Sequence, residues 1–134
     1  MAATTETLRN VIRVEDGVDF RGNGGLVKRV LYPETCGCEN ATLAVVYQNP
    51  GEEVRIHQHP EEELYYVTAG RGSMTLGDEE FPLEPGMGVY IPSNVPHGQR
   101  CTGHETLNIV CVIAPPFARR LARDQAAIAA RTAG

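Results

Sequence analysis

An all-β sandwich or barrel with one C-terminal helix is the fold this 134-residue sequence predicts. Three observations point to it. Short β-rich runs recur along most of the chain, a turn signal separates each run from the next, and the pattern changes only after Pro115-Pro116. The content of 14 Gly and 9 Pro agrees with many short elements joined by tight turns.

Taken in order, Met1 to Asn10 is polar and predicts a flexible tail. Residues 11–116 predict the barrel, with strands over Gly25–Leu31, Thr42–Gln48, Val54–His59, Leu64–Ala69, Gly72–Leu76, Gly88–Pro92, His97–Cys101 and Thr106–Ile113. Turns are expected at Gly22-Asn23-Gly24-Gly25, Asn49-Pro50-Gly51, Ala69-Gly70, Leu76-Gly77-Asp78, Glu84-Pro85-Gly86, Pro92-Ser93-Asn94 and Thr102-Gly103. Residues 117–134 are rich in Ala, Arg and Leu. There Phe117, Leu121, Gln125 and Ile128 recur at near-helical spacing and predict an amphipathic helix over Phe117–Ala133.

The net charge of −5 argues against nucleic-acid binding, which wants a basic face. The N-terminus has no apolar stretch of the kind that marks secretion, and the run Leu107 to Pro116 is too short to span a bilayer. A cytoplasmic protein without nucleic-acid or membrane partners is expected. Its four cysteines, Cys36, Cys38, Cys101 and Cys111, form no C-x-x-C and predict free thiols. Met74, Met87, Leu107, Ile109 and Cys111 suit an apolar barrel wall, and His104 suits an exposed turn.

The chemistry concentrates between Gly51 and Gly70. In a strand, residues two apart share a face, so His57 and His59 point the same way, roughly 6.6 Å apart at ~3.3 Å per residue. Glu61 and Glu63 keep the parity of the histidines if the chain stays extended through Pro60, and Glu62 does not. An H-x-H pair alone is more often a surface or core feature than a metal site. The longer pattern is G-x5-H-x-H-x3-E-x6-G, from Gly51 through His57, His59 and Glu63 to Gly70. It resembles the first motif of the cupin superfamily. The run from Gly86 through Pro92 and Asn94 to His97 resembles the second, G-x5-P-x-G-x2-H-x3-N.

That resemblance implies a single-domain cupin, a double-stranded β-helix or jelly-roll barrel, with His57, His59, Glu63 and His97 as ligands of one divalent transition metal. Fe(II) is favoured, with Mn(II), Ni(II) or Zn(II) also suited to three imidazoles and a carboxylate. Two departures stand in the second motif. Asn94 occupies a usual Gly position, where Asn tolerates the left-handed conformation, and Cys101 replaces a usual Asn.

Parity also nominates neighbours. Arg55 precedes His57 by two and could hold a substrate carboxylate, unless a bulge displaces it. Tyr65 follows Glu63 by two and is a candidate acid or base. Gln99 follows His97 by two and is a candidate hydrogen-bond partner for substrate. The functional expectation is a metal-dependent enzyme acting on a small organic acid or carbonyl compound, leaning to non-haem Fe(II) dioxygenase chemistry. A lyase, decarboxylase or isomerase, or a non-catalytic small-ligand-binding protein, is the alternative. Small cupins commonly pair, so a homodimer is expected, formed by the N-terminal strands, the C-terminal helix or both.

Overall fold

The structure, a computed structural model, describes residues 9–22 and 24–133. Ten antiparallel strands form two facing sheets. They are β1 (Val18–Gly22), β2 (Gly25–Leu31), β3 (Thr42–Gln48), β4 (Glu53–His57), β5 (Glu62–Ala69), β6 (Gly72–Leu76), β7 (Glu79–Leu83), β8 (Gly88–Ile91), β9 (His97–Cys101) and β10 (Leu107–Ala114). The larger sheet has the order β1-β2-β3-β10-β5-β8 and the smaller β4-β9-β6-β7. This is the jelly-roll arrangement, followed by a helix with the expected bounds, Phe117–Ala133.

Period-two alternation does most of the folding work. Along β5, Glu63, Tyr65 and Val67 are buried while Glu62, Leu64, Tyr66 and Thr68 face out. Along β3, Thr42, Ala44, Val46 and Gln48 are buried in the same rhythm. The inward residues of the two sheets meet in a core whose centre includes Val67, Met74, Leu83, Ile91, Leu107 and Ile109, all fully buried. Each contributes about 1.5–3 kcal/mol of burial. Met87 is only half-buried, in the turn before β8, so it does not belong to the wall as the sequence suggested.

Several elements escape the sequence pattern. Strands β1 and β7 are edge strands, and β7 carries two acidic residues and Pro82. Charge and proline are what an edge tolerates and what a pattern search rejects. A 3-10 turn at Val14–Asp16 and a one-turn helix at Pro33–Cys36 flank β1 and β2. Strand β4 stops at His57, two residues short of the expected end at His59. The expected flexible tail falls mostly outside the described residues, as does Asn23 of the first turn. All four cysteines are free thiols. Among the described residues no helix is long and apolar enough to cross a membrane.

Candidate metal centre

Three elements bring the site together. His57 ends β4, His59 lies in the β4–β5 connection, and His97 begins β9. Because β4 ends early, a shared strand face is not what aligns His57 with His59. The backbone holds the connection instead, with the Asn94 N–H donating to the His59 carbonyl at 2.8 Å. Asn94 is the one described non-glycine residue at positive φ, +60°, so it supplies the left-handed turn that glycine would otherwise provide. The rings lie close, with centroid separations of 4.4 Å for His57–His97, 4.9 Å for His59–His97 and 5.5 Å for His57–His59.

Each ring is oriented by a backbone carbonyl two residues away. Nδ1 of His57 donates to the Arg55 carbonyl at 2.8 Å, Nδ1 of His59 to the Glu61 carbonyl at 2.9 Å, and Nδ1 of His97 to the Val95 carbonyl at 2.9 Å. A carbonyl only accepts, so each Nδ1 carries the proton and each Nε2 presents its lone pair when the ring is neutral. Ligand atoms of the three imidazoles lie within 4.8 Å of one another, a group that could bind a metal.

Glu63 joins them. Its Oε1 is 3.2 Å from His59 Nε2 and 3.3 Å from His97 Nε2, and the Cys111 thiol donates to its Oε2 at 2.8 Å. Burial alone would raise the Glu63 carboxyl, but the His59 and His97 rings and the Cys111 thiol set against its oxygens outweigh it and hold the group at about 2. The hydrogen bond to Glu63 raises His59 above the ordinary histidine value against the opposing effect of burial. Burial first, then the Glu63 charge, pushes the Cys111 thiol well above the thiol range, so it stays a donor.

These contacts fit a cation. Two imidazole lone pairs facing one carboxylate oxygen repel unless a proton or a metal ion lies among them. His97 Nε2 is buried in a residue 1% exposed and has no hydrogen-bond partner. Such an atom is costly without a ligand.

The neighbours nominated by parity are placed differently from one another. Tyr65 and Gln99 both point inward and meet, the Tyr65 hydroxyl donating to Gln99 Oε1 at 3.2 Å. Burial and the Glu63 charge push Tyr65 well above its ordinary range, so its proton stays in place. Strict alternation fails in β4. Val54 pairs with Gln99 and His57 with His97, leaving Arg55 and Ile56 opposite the single Gly98. Cross-strand partners share a face, so Val54 takes the inward position that parity assigned to Arg55. Arg55 is exposed and lines both the cavity and an outer groove. Gly98 makes the bulge possible, since a Cβ there would lie 2.7 Å from the Val54 carbonyl oxygen.

A cavity of about 420 Å³ opens over His57 and His59. His57, His59, Glu63, Tyr65 and Gln99 line it, together with Phe20, Tyr32, Val46, Ile113 and Phe117. Phe20, Arg29 and Phe117 were not anticipated from the sequence. Lys28-Arg29 in the middle of a strand was a signal, because alternation sends one of the two basic residues inward. Phe117 stands edge-on to the His59 ring at 5.2 Å, so the helix start covers one side of the site.

Residues 44–113 match the family described as the cupin domain. The chain is a cupin. Among its relatives, protein SchB of Streptomyces halstedii is 36% identical over 112 residues, spanning 83% of this cupin and 81% of SchB. Polyketide synthase CurC of Streptomyces cyaneus is 33% identical over 106 residues, spanning 78% of this cupin and 69% of CurC. The polyketide cyclase RemF of Streptomyces resistomycificus shares the fold, with a TM-score of 0.69 at 20% identity over 80% of each chain.

Proposed function

We propose that this cupin is a metal-dependent enzyme that moves a proton beside a carbonyl of a small organic substrate, in isomerase, lyase or cyclase chemistry. The observation that carries the proposal is the convergence of three oriented imidazoles and the buried, ionised Glu63 below an apolar cavity. His57, His59, Glu63 and His97 would hold the ion, which would supply Lewis-acid polarisation of the carbonyl.

The rest belongs to the chain. Tyr65 keeps its proton and stands in the cavity wall, able to turn from Gln99 to a substrate oxygen. Gln99 retains amide N–H donors that can fix the substrate. The apolar wall of Val46, Ile113 and Phe117 limits water. The names of CurC and RemF add support, because a polyketide chain is rich in enolisable carbonyls.

Fe(II) dioxygenase chemistry is the second reading. It is favoured by the donor set, since three imidazoles and a carboxylate leave two of six positions open on Fe(II), Mn(II) or Ni(II). We propose a homodimer as the working assembly. Leu64, Tyr66 and Tyr90 are exposed on the outer face of the larger sheet, an apolar patch of the kind that marks an interface.

The test is metal analysis of protein purified without added metal, followed by two assays on one sample. One follows deuterium exchange at the central carbon of a β-diketone, and the other follows oxygen uptake. Metal-dependent exchange that persists under strict anaerobiosis supports the proposal. Turnover that stops without dioxygen supports the dioxygenase reading instead.

A further inference from the structure

Strands β1 and β2 form one edge of the larger sheet, and residues of their inward face line the cavity. Phe20 pairs with Val27 and Val18 with Arg29, so Phe20, Val27 and Arg29 share that face. Arg29 is half-buried there and lines the same cavity as His57, His59 and Glu63. Its neighbour Lys28 faces out and is neutralised by Asp19 at 2.7 Å. No described carboxylate lies within ion-pair distance of Arg29. Its guanidinium carbon sits 4.9 Å from the Phe20 ring centre and 5.2 Å from the Tyr32 ring centre.

Aromatic contacts of this kind engage the face of a guanidinium and leave its edge donors unspent. The result is a positive group held in place by two rings, with in-plane N–H donors and a fork geometry that matches a carboxylate. The rings that hold it continue as walls, since Phe20 and Tyr32 line the cavity as well.

We propose that Arg29 is the anion anchor of this site, and that the substrate is a flat, conjugated oxyanion: an aromatic carboxylate or an extended enolate. The anchored oxygens meet Arg29 at the mouth, the conjugated body lies along Phe20, Tyr32 and Phe117, and the far oxygen reaches toward the histidines. This assignment rests on the functional reading above and moves the substrate-binding role from Arg55 to Arg29. A cavity of about 420 Å³ is of the size that takes such a small molecule.

The experiment compares two probes, 2,4-dihydroxybenzoate and resorcinol, which differ by the carboxylate. Binding is followed by calorimetry to the Zn(II)-loaded and the metal-free protein. The wild type is expected to prefer the anion at least tenfold. Arg29→Met is expected to weaken anion binding about ten- to a hundredfold while leaving resorcinol binding, metal content and melting temperature unchanged. Arg29→Lys should recover part of the loss, and Lys28→Met, on the outward face beside it, should resemble the wild type.

Anion binding by Arg29→Met equal to that of the wild type overturns the assignment. So does a wild type that fails to bind the anion at millimolar concentration. The two readings separate cleanly. A protein that takes up no metal but keeps an Arg29-dependent preference for the anion supports the anchor while removing the metal centre. A full metal site with no effect of Arg29→Met does the reverse.

Discussion

Nε of Arg120 on the C-terminal helix donates to Oε2 of Glu61 at 2.6 Å, and the Glu61 carbonyl is the group that orients His59. The ion pair therefore ties the helix to a ring of the candidate centre. Glu61 is 2% exposed and Arg120 30%, so the carboxylate depends on its partner more than the guanidinium does.

Arg120→Ala should lower the melting temperature and weaken metal binding about ten- to a hundredfold, the usual scale for a group that holds a ligand in place. Glu61→Gln should do less, because its amide oxygen still accepts from Arg120. Thermal melts with and without metal, together with a metal titration, check both. Sequence parity marked Glu61 as inward but gave no reason for it to matter. The helix contact supplies one.

Removal of any one imidazole should empty the centre. His57→Ala, His59→Ala and His97→Ala are each expected to lose most bound metal by elemental analysis, and Glu63→Gln to bind more weakly. Glu62→Gln should bind normally, because Glu62 is exposed on the outer face. Equal losses from Glu62→Gln and Glu63→Gln would show that the wrong carboxylate has been assigned.

Gly98→Ala should cost about 1–3 kcal/mol of stability, the scale of overpacking in a tight core. The added Cβ would press on the β4 bulge, 2.7 Å from the Val54 carbonyl oxygen and 3.0 Å from the Ile56 nitrogen. His57 and His97 flank that point, so metal affinity should fall with stability. Chemical denaturation reports the first and a metal titration the second. An unchanged denaturation midpoint would mean that the bulge does not need glycine.

The metal-free protein should be most stable between roughly pH 4.5 and 6.5, the ordinary values of Glu63 and His59. Glu63 is depressed on folding, so its contribution is present above 4.5 and is lost as pH falls toward about 2. That contribution is on the order of 3 kcal/mol. His59 is raised on folding, so its contribution is present below 6.5 and is lost as pH rises through its higher folded value. Metal should shift the optimum upward, because it competes with the His59 proton. Melting temperature against pH, with and without metal, is the measurement.

Light scattering at micromolar concentration should give a dimeric mass. Tyr66→Glu, which charges the middle of the apolar outer face, should give a monomer that still binds metal. A wild-type monomer would remove the dimer proposal.

Two strong local patterns carried most of the fold and site. The alternation of β5 announced Glu63 and Tyr65 as inward, and the resemblance to the two cupin motifs marked His57, His59, Glu63 and His97 without reference to any contact. Alternation repeats at a fixed interval and a motif is a fixed local spacing, which is why both are legible in one dimension. Strands β1 and β7 escaped because an edge needs no continuous apolar pattern.

By itself, the sequence determined the β-class, the strand-and-turn order, the terminal helix and a cluster of residues suited to a metal. The class, the order and the helix follow from backbone periodicity and turn chemistry, which act over a few residues, and the cluster follows from the resemblance to the two cupin motifs. Only the tertiary structure decided what surrounds that cluster. The bulge opposite Gly98 exchanged Val54 for Arg55, the β1–β2 pairing set Arg29 between Phe20 and Tyr32, and the helix brought Arg120 to Glu61. Each is a contact between distant segments, set by register and by docking of one element on another. No local propensity encodes that, because the free energy that selects it exists only once both partners are in place.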